Sequence, residues 1–164
     1  MSTPVATTFV ADYHDPVHEA AVRGLIDAYA RDRMGMGAPL PHGVLERVVP
    51  ELALRPNAFS ILAQSGDDFV GLTNCFEAFS TFTAKPLINI HDVFVKADWR
   101  SRGVGQAMLR EVERQARLRG CLMLTLEVWE GNFVAQKSYR HFGFNEGAHD
   151  PELGGHLFWK KRLT

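Results

Sequence analysis

Asp98-Trp99-Arg100-Ser101-Arg102-Gly103-Val104-Gly105-Gln106-Ala107-Met108-Leu109 is the stretch on which the reading of this chain turns. A strand-like apolar run over residues 87–95 leads into it, and an amphipathic helical pattern leaves it. Two glycines stand at the junction, preceded by two arginines. Such a junction is built to hold a pyrophosphate. Gly103 and Gly105 let the backbone come close to a ligand. The first N–H groups of the helix have no intrahelical partner and point at the anion, and the helix dipole adds to the attraction. Arg100 and Arg102 can add charge-assisted hydrogen bonds.

Downstream, Val104, Met108, Val112 and Ala116 recur at i, i+4 with Leu109 beside them, the buried stripe of a helix that ends at Gly120. Residues 121–129 alternate Leu122, Leu124, Leu126 and Val128 with Met123, Thr125, Glu127 and Trp129, which predicts a strand. The unit over 87–128 is therefore a strand–helix–strand crossover with parallel strands. Asn132 caps a last helix that Gly143 ends. A loop over 148–155 and a final strand over 156–162 complete the expectation. Upstream, residues 5–11 read as a first strand. Asp15 and Pro16 open a helix carrying Val17, Ala20, Ala21, Leu25, Ile26, Ala28 and Tyr29. A flexible loop over 34–39 precedes a helix over about 43–54. Strands over 58–63 and 69–79 pair through the turn Ser65-Gly66-Asp67-Asp68. The predicted fold is one domain over 1–164 of mixed α/β class. Its sheet is mostly antiparallel, with one parallel βαβ crossover flanked by helices.

Composition bounds the function. The 164 residues are 46% hydrophobic and 23% charged with a formal net charge of -1, which gives no general attraction to nucleic acid or to an anionic membrane. No apolar run has the length of a membrane span, and residues 1–4 do not read as the start of a signal peptide. Cys75 and Cys121 lie in apolar strand-like runs and read as reduced core thiols of a cytoplasmic protein. His14 and His18 have a metal-like spacing, but Pro16 lies between them and no third ligand follows, so no metal is expected.

Among phosphate binders, a P-loop requires Lys followed by Ser or Thr after its last glycine, where this chain has Gln106-Ala107. The dinucleotide fingerprint requires a third small residue, where Met108 stands. A plain strand-to-helix turn stays open on this stretch alone. The pattern Arg100-x-x-Gly103-x-Gly105, followed by Asn132-x-x-Ala135-x-x-x-Tyr139-x-x-x-Gly143-Phe144, resembles the GNAT superfamily of acetyl-CoA-dependent N-acetyltransferases. The likeness runs in order and spacing from residue 90 to residue 144. The N-terminal half agrees in element order only.

The resemblance implies an acetyl-CoA site and a direct acetyl transfer to a primary amine of a small molecule. By it, Arg100, Ser101, Arg102, Gly103, Val104 and Gly105 bind the pyrophosphate of coenzyme A, largely through backbone N–H groups, and Gln106 adds a contact. Backbone groups of Val93, Phe94 and Val95 take the pantetheine arm, which requires the fourth and fifth strands to splay, often at a bulge. Asn132 and Ala135 contact the cofactor arm, and a backbone N–H of the fourth strand meets the oxyanion. Tyr139, on the same helix face as Asn132, protonates the departing thiolate, a task suited to a phenol of pKa near ~10. Its alternative is an aromatic packed under Phe144. Asp92 is the first choice of base, then Glu127, with Glu77 and His91 behind. Residues 34–41, 76–82 and 152–155 should border the acceptor pocket. Homodimers are common in the family, so a homodimer stays open. Two rival functions stand beside this one: acetylation of a protein lysine or N-terminus, and a non-catalytic acyl-CoA-binding domain.

Overall fold

The computed structural model describes residues 6–147 and 150–163. Val5 of the expected first strand, residues 1–4 and residues 148–149 of the expected loop lie outside the described residues. The chain runs β1 (Thr7–Val10), α1 (Pro16–Arg31), α2 (His42–Ala53), β2 (Ala58–Ser65), β3 (Asp68–Ser80), β4 (Lys85–Val95), a 3₁₀ turn (Ala97–Trp99), α3 (Val104–Leu118), β5 (Leu124–Leu126) and α4 (Phe133–Phe142). The sheet has the order β1-β2-β3-β4-β5. Neighbours are antiparallel as far as β4, and β4 and β5 are parallel with α3 between them. This is the mixed α/β architecture that the periodicities predict.

Local chemistry explains the helix ends. The Asp15 carboxylate accepts from the backbone N–H groups of Val17 and His18, and Pro16 opens α1. The Asn132 side chain accepts from Ala135 N–H at 3.2 Å, and Gly143 leaves α4 at φ 113°, a left-handed conformation suited to glycine. The sheet separates two cores. On one face Val104, Met108, Leu109, Val112 and Ala116 of α3 pack on Ile61, Val70, Ile88 and Ile90, with Tyr139 and Phe142 of α4 at the margin. On the other, Val22 and Leu25 of α1 and Val49 and Leu52 of α2 cover Leu62, Leu72 and Phe94.

Three expectations are corrected. The fifth strand is only Leu124–Leu126, because its partner β4 pairs with it solely over Ile88–Ile90 and then turns away, leaving Glu127 to Trp129 without a ladder. No strand forms over 156–162. So short a β5 offers little edge to pair with, and Leu157, Phe158 and Trp159 stay exposed. The 34–39 loop, read as flexible, is wound onto the end of α1. Met36 and Ala38 N–H groups bond to the Ala30 carbonyl, and those of Gly35 and Gly37 to the Asp32 carbonyl.

Candidate functional site

The site begins with a bulge. The β3–β4 register passes from Cys75 opposite Ile90 to Asn74 opposite Asp92, so His91 has no partner. One extra residue reverses the side-chain alternation. Ile88 and Ile90 before it, and Val93 and Val95 after it, all pack toward α3. Phe94 packs toward α1, and Asp92 shares its side of the strand. At the same step β4 and β5 part, their last pair being Ile90 with Leu126. A cleft of about 1430 Å³ opens between them, walled by Val93, Phe94 and Val95 on one side and Leu126, Glu127 and Val128 on the other.

At one end of the cleft lies the N-terminus of α3. Gly103 precedes the helix at φ 83° and Ser101 is also left-handed at φ 60°. No side chain caps α3, so its first N–H groups are left for a ligand. A Cβ placed on Gly103 or Gly105 would meet nothing within 4 Å. Ser101, Gly103, Gly105 and Gln106 line the cleft, and Val104 anchors the turn with its side chain in the core. This concave row of donors fits a phosphate group.

The arginines are used differently from the sequence expectation. Arg100 donates from Nη2 to Asp32 at 2.7 Å and from Nε to the Val95 carbonyl at 2.9 Å, with its guanidinium over the Phe94 ring. It lines the cleft, but its side chain clamps the end of α1 to the end of β4. Arg102 stacks over Trp99, with 5.3 Å to the ring centre, and does not line the cleft. The Gln106 amide donates to the Ser138 carbonyl and hydroxyl, both at 2.9 Å, and ties α3 to α4.

Further along, α4 presents Asn132, Ala135 and Tyr139 to the cleft. The Asn132 cap uses only the amide oxygen. Burial pushes the Tyr139 phenol up to about 12, and the nearby Tyr29 phenol adds to the rise. The Tyr139 ring also meets Phe144 edge-on at 5.9 Å, so the packing role and the cleft position coexist. Glu127 and His91 line the cleft, whereas Asp92 lies beside it without lining it. The Asp92 charge nevertheless reaches Tyr29, whose phenol is raised first by burial and then by Asp92 and Asp32. Asp32 is held below the usual carboxylate range by the Met34 N–H and then by Arg100. Of the expected acceptor borders only Met34 lines the cleft. His156, Leu157, Phe158 and Lys160 do so in place of 152–155. Sequence reading missed Tyr29 and Asp32. Tyr29 sat in the apolar stripe of α1, and nothing local marks a tyrosine that lines a cleft.

These features meet an independent match. The model of the acetyltransferase (GNAT) family matches residues 23–144. The chain belongs to that family. An uncharacterized N-acetyltransferase of Bacillus subtilis, YhfO, is 28% identical over 86 residues, 52% of this chain and 58% of that protein. The matched stretch thus spans little more than half of that relative. A transcriptional regulator from Bacillus halodurans has the same fold, with a TM-score of 0.78 and 20% identity over 96% of this chain and 99% of that one. An aminoglycoside N-acetyltransferase in complex with CoA superposes with a TM-score of 0.74 at 18% identity, over 99% of this chain and 100% of that one. The turn over Arg100–Gly105, built from left-handed Ser101 and Gly103, lies within the matched residues. Neither thiol of this GNAT chain is activated. Cys75 is buried and its thiol is pushed far up, and burial also raises Cys121. Among the described residues no group of three or more His, Cys, Asp or Glu could hold a metal, and no helix is long and apolar enough to cross a membrane.

Proposed function

We propose that the chain is an acetyl-CoA-dependent N-acetyltransferase that transfers acetyl directly to the primary amine of a small molecule. The observation that carries this reading is the cleft at the β4–β5 splay. It has an uncapped helix N-terminus at one end and a protonated Tyr139 further along. At about 1430 Å³ it exceeds the ~300–1,000 Å³ of common ligand pockets and leaves room for two substrates. Aminoglycoside acetyltransferases among the structural neighbours, with Glu127 lining the cleft and Asp92 beside it, support a small cationic acceptor.

Acetyl-CoA supplies a thioester, whose carbonyl carbon accepts an amine and whose thiolate leaves. The backbone N–H groups of Ser101 to Gln106 hold the pyrophosphate. The backbone of Val93, Phe94 and Val95, which line the cleft, aligns the pantetheine arm, with Asn132 and Ala135 facing it across the cleft. One β4 N–H meets the oxyanion as the new C–N bond forms. Tyr139 gives its proton to the departing sulfur. Asp92, directly or through water, takes the proton that the attacking nitrogen sheds, and Glu127 is the second candidate.

Thermal denaturation with acetyl-CoA, CoA and NAD in parallel tests the cofactor. At a hundredfold excess over Kd, the two CoA species should stabilise by about 2.7 kcal/mol and NAD should not. No rise with either CoA species would end the enzyme reading. Thiol release with sisomicin, spermidine, lysine and a lysine-containing peptide then tests the acceptor. Turnover confined to the peptide would replace the small-molecule assignment.

A further inference from the structure

A run of side-chain hydrogen bonds crosses the sheet beneath α1 and ends at the bulge. The Tyr13 hydroxyl lies 2.7 Å from Ser60 Oγ, Ser60 Oγ lies 2.6 Å from Asn74 Oδ1, and Asn74 Nδ2 lies 2.9 Å from Asp92 Oδ2. Ser60 is fully buried and Asn74 is 3% exposed. Their neighbours along the same face are Leu62 and Leu72, and apolar side chains would fill such positions without needing partners.

The polarity of the run is determined by its end. An ionised carboxylate only accepts, so the Asn74 amide nitrogen faces it and donates. The Asn74 oxygen must then accept, and Ser60 spends its single proton there. Ser60 therefore accepts from Tyr13, whose phenol is raised by burial and keeps its proton. Every donor points toward Asp92. An amide in the middle carries no proton onward, so the run orients a carboxylate and does not conduct. It occupies Oδ2 of Asp92. Among the described residues no protein donor reaches Oδ1.

We propose that Asn74, backed by Ser60 and Tyr13, is a positioning residue that fixes the Asp92 carboxylate beside the cleft for the acceptor amine. This rests on the assignment of Asp92 as the base. The placement agrees with it: Asn74 and Asp92 are the register pair bordering the bulge, and Tyr29 in the cleft wall feels the Asp92 charge.

The test compares Asn74→Leu, Ser60→Ala, Ser60→Thr, Tyr13→Phe and Asp92→Asn, with sisomicin and spermidine as acceptors. Asn74→Leu should lower kcat and kcat/KM for the amine equally, at least about tenfold, with the KM for acetyl-CoA unchanged, the signature of a lost transition-state interaction. Ser60→Ala should lose less and Tyr13→Phe least, and Ser60→Thr should recover the Ser60→Ala loss. Asn74→Leu added to Asp92→Asn should cost nothing further. Slow Asp92→Asn beside wild-type Asn74→Leu would overturn the positioning role and leave the base assignment standing. Wild-type Asp92→Asn would remove the base and the positioning role together. Crystal structures of wild type and of Asn74→Leu, with Tyr13→Phe as the variant least able to disturb folding, decide the matter without turnover. A changed Asp92 rotamer is expected, and an unmoved carboxylate would overturn the proposal.

Discussion

Tyr139 is where a single side chain bears most of the proposed chemistry. Its phenol is pushed up to about 12, so it stays protonated through the working range. Tyr139→Phe should lower kcat about a hundredfold, the lower range for loss of a general acid, with the KM for acetyl-CoA nearly kept. Because the group does not titrate below its raised value, that loss should be the same at about pH 7 and about pH 9. Steady-state kinetics at both values checks this: a ratio that shrinks at the higher pH would mean that the phenol titrates below its raised value, and an unchanged kcat at both would remove Tyr139 from the acid role. The raised value also has a stability sign. Stability from neutral Tyr139 is whole below the unfolded value of ~10 and is lost as pH rises from there through about 12. At Cys75 the expectation is the opposite of a catalytic residue: Cys75→Ala should change stability, not mechanism, since the thiol is buried and its pKa raised. Both tyrosine and cysteine were legible as types. That Tyr29 of α1 and Tyr139 of α4 line one cleft was not, because no local pattern announces it.

Among the elements, α3 and α4 carry the clearest consequences. Gly103→Ala meets no steric neighbour, so its cost is backbone strain alone, about 1–2 kcal/mol for a side chain at φ 83°. Relief of that strain would turn the N–H groups away from the cleft. The expected result is weaker CoA binding by calorimetry together with a modest loss of stability. Asn132→Ala removes the cap of α4 and should cost about 1 kcal/mol, read as a shift of the urea midpoint. Arg100→Ala should raise the KM for acetyl-CoA through the loop it clamps, and Asp32→Asn should do the same, since both sever one ion pair. If only Arg100→Ala acts, the guanidinium itself touches the ligand. The stripe of α3, the Gly120 and Gly143 ends and the Asn132 cap were all readable because each signal lies within one or two turns. The length of β5 was not. Nine residues alternate in sequence, but three of them stand in register with β4.

For the molecule as a whole, the sheet separates two cores and the cleft joins them. Met108 is fully buried at the centre of the first core, its sulfur accepting from Thr73 Oγ1 at 3.7 Å. Met108→Ala should destabilise the protein by about 2–5 kcal/mol in denaturant unfolding, with kcat kept at low temperature because the cleft walls are elsewhere. The element order as far as α4, the mixed sheet, the glycine turn that opens α3 and the family were legible in the sequence alone, since periodicity, caps and glycines act between near neighbours. Tertiary structure alone decided the rest. It placed the bulge at His91, sent Asp92 toward α1 and Asn74, and paired Arg100 with Asp32 across 68 positions. It also left residues 156–162 unpaired. The reason is common to all four. Register and pairing compare distant segments, and a shift of one residue, which leaves the local pattern unchanged, exchanges every side chain between the two faces of a sheet.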